Sequence, residues 1–295
     1  MQIRLLTSIG GRGLTPETFR DELRGIHVDR ADRLWTVGDA EVKQFDPAGR
    51  LLRRWPTGSP ALCITLDARE RVWLGGDGWV GAFDAQGRRL EELRDPPRLG
   101  RVTAIGFIGD DLLLADATHR CIRRYDRHRR FVLDIGAKNN TRGFLVPNGH
   151  LELAIDEKGI IHATNPGKYR VERYTADGEL LGHFGRFGTR DPEHFPGCCN
   201  PTNLALLPGG RVAVTEKAPP RMKVHDADGR LLGLVGPEAF DAGCKNMDVA
   251  ADSRANVYVA DTVRLWIRVF ACQEAVAGAG PRTRPPADRE GAVPP

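Results

Sequence analysis

The stretch from Gly25 to Trp55 reads GIHVDRADRLWTVGDAEVKQFDPAGRLLRRW, and it decides the fold. It contains four short apolar segments that alternate with turns rich in Asp and Gly, the pattern of four consecutive strands. The stretch from Met247 to Phe270, MDVAADSRANVYVADTVRLWIRVF, repeats the first three of these segments. Repeats of about 45 residues with four short strands each are typical of the blades of a β-propeller.

The repeat occurs six times along the chain, and the last residue of its third strand marks each copy. These residues are Phe45, Phe83, Tyr125, Tyr174, His225 and Phe270. A turn with Gly follows most of them, as in Pro47-Ala48-Gly49, where a tight hairpin needs a positive φ. The sequence therefore predicts an all-β, six-bladed β-propeller over residues 1–272.

The two ends of this region predict how the ring closes. The sixth copy stops after its third strand, and the segment Ile3–Ile9 resembles the outer strands of the other copies. We expect the N-terminal strand to pair with blade six, which removes both exposed sheet edges. Residues 273–295, rich in Pro, Ala and Arg and without periodicity, are predicted to be a disordered tail.

Composition limits the function only broadly. With 41% hydrophobic and 28% charged residues, the chain resembles soluble globular proteins. No run of 18 apolar residues occurs, so no membrane span is predicted. The start, MQIRLLTSIG, lacks the pattern of a secretory signal, so we expect a cytoplasmic protein with reduced thiols unless the native start lies upstream.

Segments such as GIHVDRADRLWTVGD resemble NHL repeats, and the six-fold count resembles NHL-type six-bladed propellers. The resemblance covers nearly all of residues 1–272. It implies the fold rather than one activity, because relatives include protein- and RNA-binding domains, sensor modules and a few metal-dependent lyases and lactonases.

Two loops that lead into inner strands share a short sequence motif, Gly-Cys followed closely by Asn. Gly197-Cys198-Cys199-Asn200 precedes blade five, and Gly243-Cys244-Lys245-Asn246 precedes blade six. Because these loops converge at one mouth of the channel, we expect the sulfurs of Cys198, Cys199 and Cys244 to face one another there. Three interpretations stay open: a transition metal or iron–sulfur site, a redox pair or disulfide, and packing of small buried residues.

Three histidine- or amide-bearing positions extend this hypothesis. Asn148 and His150, in the corresponding loop of blade four, are candidates for a further ligand or a general base beside the cysteines. His194, on the long loop that leads to the cysteines, is a candidate lid residue. A solvated or capping role is the alternative for each histidine.

A second candidate site lies further along the channel. One position per blade, four residues before the inner-strand Asp in most copies, is Gly25, Cys63, Thr103, Glu152, Asn203 and Asp248. Glu152, Asn203 and Asp248 place three oxygen-bearing side chains on consecutive blades, a donor set suited to calcium or another divalent cation. The alternative is that these are polar side chains in a water-filled channel.

Taken together, these residues predict a binding propeller whose cysteine-lined channel mouth holds a metal, a redox centre, or a protein or small-molecule partner. The alternatives are a metal-dependent hydrolase or lyase at Glu152, Asn203 and Asp248, and a plain protein-interaction scaffold. Nucleic acid is not an expected partner. The basic run from Arg120 to Arg130 alternates along strands, which divides its charges between two faces.

Overall fold

A computed structural model describes residues 1–137 and 143–273. Within these ranges the chain forms six antiparallel four-stranded sheets, so the predicted six-bladed β-propeller is confirmed. The strand β1 (Gln2–Gly10) comes first in the chain but belongs to the last blade.

Each of the first five blades is built from four consecutive strands. Blade one contains β2 (Gly25–Val28), β3 (Leu34–Gly38), β4 (Glu41–Phe45) and β5 (Leu51–Pro56). Blade two contains β6 (Cys63–Leu66), β7 (Val72–Gly76), β8 (Trp79–Phe83) and β9 (Arg89–Leu93). Blade three contains β10 (Val102–Ile108), β11 (Asp111–Asp116), β12 (Cys121–Tyr125) and β13 (Phe131–Ile135).

The second half of the ring follows the same plan. Blade four contains β14 (Leu153–Ile155), β15 (Ile161–Asn165), β16 (Arg170–Tyr174) and β17 (Leu180–Phe184). Blade five contains β18 (Asn203–Leu207), β19 (Arg211–Glu216), β20 (Arg221–His225) and β21 (Leu231–Val235). Blade six contains β22 (Val249–Ala251), β23 (Asn256–Asp261), β24 (Trp266–Gln273) and β1. Short 3₁₀ turns occupy Pro166–Lys168, Pro208–Gly210 and Pro237–Ala239.

The ring closes as the sequence predicts. Strand β1 pairs antiparallel with β24, from Gln2 opposite Gln273 to Gly10 opposite Trp266, with an irregularity between Leu5 and Thr7. The last strand thus includes Gln273, one residue beyond the predicted end of the propeller. The rest of the predicted tail lies outside the described residues.

Acidic residues at strand ends fasten the hairpins within the blades. Asp29 Oδ1 accepts hydrogen bonds from the backbone N–H groups of Ala31 (2.9 Å) and Arg33 (3.0 Å). Asp29 Oδ2 accepts from Arg33 Nε (2.7 Å) and from the buried Trp35 indole (2.8 Å). Carboxylates that bind backbone donors two and four residues ahead stabilise tight turns. The same Asp-to-Arg arrangement recurs at Asp46–Arg50, Asp67–Arg71, Asp84–Arg88 and Asp126–Arg130.

The core is divided among the blade interfaces rather than gathered in one place. Within the described residues, a cluster of buried apolar side chains lies at each of the six junctions between neighbouring blades. The innermost strands of adjacent blades contact one another in a closed cycle and surround the central channel. In the ranges that the structure describes, no helix is long and apolar enough to cross a bilayer.

Candidate functional site

The channel wall carries one key position at the entrance of each inner strand. Three of these positions, Glu152, Asn203 and Asp248, belong to blades four, five and six. Asn203 is the first residue of β18, while Glu152 and Asp248 immediately precede β14 and β22. Because the three blades are neighbours, the three side chains meet in the channel, as the sequence predicts.

A single amide group links this cluster. Asn203 Nδ2 lies 2.9 Å from Glu152 Oε2, 3.4 Å from Asp248 Oδ1 and 2.8 Å from His150 Nε2. His150 Nε2 is also 3.2 Å from Glu152 Oε2. The structure therefore brings His150 to Glu152 and Asn203, and within the described residues none of the cysteines is among its side-chain hydrogen-bond partners. These four residues are called the channel cluster below.

Backbone donors hold the two carboxyl groups in place. Asp248 Oδ2 accepts from Ile26 N (2.7 Å) on blade one, and its Oδ1 accepts from Val249 N (2.8 Å). Glu152 Oε1 accepts from Leu153 N (3.1 Å). These contacts leave Glu152 Oε2 and the Asn203 amide facing each other. Asn203 Oδ1 is buried and has no hydrogen-bond partner in the structure.

Burial shifts the protonation of the channel cluster strongly. It raises the pKa of Glu152 to about 8. Burial, and next the charge of Glu152, raise the pKa of Asp248 to about 7. Burial lowers the pKa of His150 to about 4. At neutral pH the imidazole is therefore neutral and the carboxyl pair retains a proton, because burial opposes the charged form of each group and the charge of Glu152 further opposes that of Asp248.

The channel cluster lies where two cavities meet. A mouth chamber of about 370 Å³ is lined by His150 and Asn203, and an inner chamber of about 590 Å³ is lined by Glu152 and Asp248. Thr103 lines both cavities. Their volumes are in the range of small-molecule sites, about 300–1,000 Å³.

The mouth chamber is polar and carries charges of both signs, with Asp21 and Glu22 beside three basic residues. Arg24, Arg101 and Lys245 line it, and Asn148 Nδ2 donates to Asn246 Oδ1 at 2.8 Å across it. Asn148 Oδ1 is buried without a hydrogen-bond partner. Asn148 thus lies at the channel mouth, as the sequence predicts, with Asn246 as its contact.

The cysteines of the two repeated loops are placed differently from one another. Cys198 is exposed and its sulfur lies 3.2 Å from that of the buried Cys199. Cys244 packs into the apolar cluster between blades five and six, where its thiol lies 3.2 Å from Asp261 Oδ1. Burial raises the pKa of Cys199, and it raises that of Cys244 to about 11. These thiols are poor sources of thiolate, the form that binds metals.

Among residues 1–137 and 143–273, no three His, Cys, Asp or Glu side chains are arranged to hold one metal ion. Cys198 and Cys199 are free thiols in contact with each other, and Cys244 is buried in the apolar cluster between blades five and six. Metal or redox roles for these residues stay predictions.

His194 is anchored beside blade five. Its ring nitrogen Nε2 accepts from Arg186 Nε at 2.6 Å, and its carbonyl oxygen accepts from the buried Lys223 Nζ at 2.6 Å. The neighbouring Phe195 is fully buried and lies under the Lys223 ammonium group. The loop is thus fastened at this point, and a lid role for His194 stays a prediction.

Sequence reasoning missed His27, which lines the inner chamber and lies 3.4 Å from Thr65 Oγ1 through its Nδ1. Burial lowers its pKa to about 4. The signal was present in the strand pattern. His27 follows Gly25 by two residues, so alternation along β2 directs both positions to the same side.

The fold and the cluster define a six-bladed propeller with a buried polar site in its channel, and solved structures share that fold. Virginiamycin B lyase from Staphylococcus aureus is 10% identical, with a TM-score of 0.64 over 92% of this chain and 100% of that chain. A protein of unknown function from Bacteroides thetaiotaomicron is 15% identical, with a TM-score of 0.66 over 89% of this chain and 72% of its own. The WD40 propeller domain of Doa1 is 12% identical, with a TM-score of 0.61 over 92% of this chain and 98% of its own.

At these identities the likeness establishes the propeller fold alone. No protein-family model matches the chain, and no curated protein matches its sequence.

Proposed function

We propose that this protein binds a small organic ligand in its central channel and that the channel cluster recognises it. The observation that carries the proposal is the convergence of Glu152, Asn203, Asp248 and His150, from three consecutive blades, at the junction of two cavities. Convergent polar groups with shifted pKa values in a large cavity are the usual mark of a ligand site.

Energetics support a binding role over a plain scaffold. A buried carboxyl pair whose pKa values are raised costs stability near neutral pH, because the folded state opposes its ionisation. An interaction scaffold that uses only its outer surface needs no such pair in the channel. Binding of a complementary ligand would offset that cost.

A screen with matched variants tests the proposal. Ligand-observed NMR would compare a mixed library of small amines, acids, sugars and lactones against the wild type and Glu152→Gln/Asp248→Asn. The control is Glu179→Gln, whose carboxyl is exposed on a blade-four hairpin. We expect hits with the wild type and the control that disappear with the double variant. Hits that survive in the double variant, or no hit at all, would contradict the proposal.

A divalent-cation-dependent hydrolase or lyase is the second candidate, and the Asn203 amide favours it. Turning that amide by about 180° would place its unpartnered oxygen between Glu152 Oε2 and Asp248 Oδ1. Two carboxylates and an amide oxygen are hard ligands of the kind that calcium and magnesium prefer. One of the similar structures, virginiamycin B lyase, is itself a lyase.

Cation titration separates this candidate from the first. A rise in melting temperature with Ca²⁺ or Mg²⁺ that Glu152→Gln abolishes, together with cation-dependent turnover of lactones, would support it. No shift with any divalent ion would count against it.

A metal or redox role for Cys198, Cys199 and Cys244 is a separate proposal with its own test. The contact between the sulfurs of Cys198 and Cys199 favours a thiol pair over a three-sulfur site. Ligand binding and stability that are unchanged when Cys198, Cys199 and Cys244 are all replaced by Ser would remove the cysteines from the function. The NHL-like repeats agree with a binding role of either kind.

A further inference from the structure

The inner chamber combines acidic groups at one end with apolar walls along its length. Glu152 and Asp248 lie at the end that adjoins the mouth chamber. The walls beyond them include Val28, Leu66, Phe107, Ile155 and Leu206. The chamber is therefore amphipathic along the channel axis rather than uniformly wet.

Small side chains leave room directly beyond the acidic groups. Two residues after Glu152, Asn203 and Asp248, strands β14, β18 and β22 carry Ala154, Ala205 and Ala250, and all three alanines line the inner chamber. Alternation along a strand directs residues two apart to the same side. On these three blades small side chains consequently line the chamber next to the carboxyl groups.

The charges of the inner chamber favour a cation. Its acidic lining residues are Glu152, Asp248 and Asp67, and its one positively charged lining residue among those described is Arg30. Arg30 is exposed and lies past the end of β2, away from the channel cluster. Asp67 is already paired with Arg71 at 2.6 Å. The end of the inner chamber that adjoins the mouth chamber therefore has two carboxyl groups and, among the described residues, no positively charged side chain that lines it.

We propose that the inner chamber binds an amphipathic organic cation. The ammonium head lies against Glu152 and Asp248, and the apolar body extends along the walls formed by blades one to six. This ligand class rests on the proposed function, because the same channel cluster supplies the recognition. An anionic ligand would be repelled by the charge of the carboxyl pair, and a purely polar ligand would leave the apolar walls unused.

Proton release is a second consequence of this arrangement. The raised pKa values of Glu152 and Asp248 leave the pair partly protonated near neutral pH, and a bound ammonium group would stabilise both charges. Binding therefore releases protons between pH 6.5 and 8. The other titratable or charged groups that line the inner chamber are His27, Arg30, Cys63 and Asp67. Those that line the mouth chamber are His150, Asp21, Glu22, Arg24, Arg101 and Lys245.

Isothermal titration calorimetry with n-alkylammonium ions from butyl to octyl tests the ligand class, with n-alkylcarboxylates of equal length as the opposite-charge series. We expect affinity for the ammonium series to rise about two- to fourfold per methylene group. The carboxylates should bind at least about tenfold more weakly, since charged hydrogen bonds are lost. Repeating the titration in buffers of different ionisation enthalpy should reveal proton release.

Three variants make the test specific. Glu152→Gln should weaken octylammonium binding by about tenfold or more, and Ala154→Phe should remove the dependence on chain length by filling the chamber. Glu179→Gln should bind as the wild type does. Equal affinity for the two series, or full affinity in Glu152→Gln, overturns the inference.

The two proposals fail separately. If the NMR screen gives Glu152-dependent hits and none is a cation, the channel binds ligands but the assigned class is wrong. If no compound of any class depends on Glu152 and Asp248, the proposed function fails as well.

Discussion

Replacing Glu152 by Gln should make the protein more resistant to unfolding as pH rises. The side chain is buried and its pKa lies near 8 in the folded chain, against 4.5 as its ordinary value. Between these two values the folded state binds more protons than the unfolded state. The free energy of unfolding therefore falls as pH increases through this window. Gln keeps the shape and the contact with Asn203 but cannot ionise.

The magnitude follows from the same pKa values. Between pH 6.5 and 8, ionisation of one such carboxyl removes about 1.5 kcal/mol of stability from the wild type. His27, His150 and His225, whose pKa values fall from 6.5 to about 4 on folding, raise stability slightly between pH 6.5 and 7.5, but all three are present in both proteins, so the comparison of Glu152→Gln with the wild type largely removes their contribution. Asp248 adds to the slope in the wild type and less in the variant, where its neighbour carries no charge.

Urea unfolding at pH 6.5, 7, 7.5 and 8, at constant ionic strength, measures the effect. The stability of Glu152→Gln relative to the wild type should increase by about 1.5 kcal/mol across the series. Glu179→Gln should show no such trend, because its carboxyl is exposed. A difference between wild type and Glu152→Gln that stays constant with pH would refute the assignment of a raised pKa to Glu152.

Three further outcomes follow from other parts of the structure. Ile9→Ala should cost about 2–4 kcal/mol in urea unfolding because Ile9 is buried where the ring closes, whereas Leu6→Ala, 42% exposed on the same strand, should cost under about 1 kcal/mol; equal losses would contradict this reading. Lys223→Met should cost about 2 kcal/mol, because Glu216 loses its buried ammonium partner and keeps Arg221 alone, and adding Glu216→Gln should recover part of the loss, whereas a loss that grows would argue against the pair. Maleimide labelling of the native protein should find one fast-reacting thiol, lost in Cys198→Ser, since the other five cysteines are buried; two or more fast thiols would be inconsistent with this structure.

The blade pattern was predictable because it is local. Each copy carries its own turns and its own aromatic landmark, such as Phe45 at the end of β4 and Tyr174 at the end of β16. Pairing of the N-terminal strand with blade six was also predictable, because an incomplete sixth copy leaves only one strand to complete it. In both cases the prediction needs only the repeat itself: the turns and aromatic residue of each copy, and the number of strands that each copy contains.

The site was only partly predictable. Equivalent positions in successive copies correctly grouped Glu152, Asn203 and Asp248, since the ring places equivalent residues side by side. The direction of a loop side chain has no such periodicity. His150 accordingly turns to Glu152, two residues away, and Cys244 turns into the apolar junction against Asp261, outcomes that depend on packing between blades.

The pairing of β1 with β24 also sets an order of events during synthesis. Residues 2–10 leave the ribosome early, but their partner residues 266–273 emerge only after the five other blades. At about 5–20 residues per second, the first strand waits on the order of ten to fifty seconds with its edge unpaired. In that interval a strand from a neighbouring nascent chain is a competing partner, which makes exchange between chains the characteristic misassembly of this topology. Protease treatment of stalled ribosome–nascent chain complexes should cleave residues 2–10 at every stall point before residue 273 emerges, and protection at an earlier point would show that the segment finds another partner first.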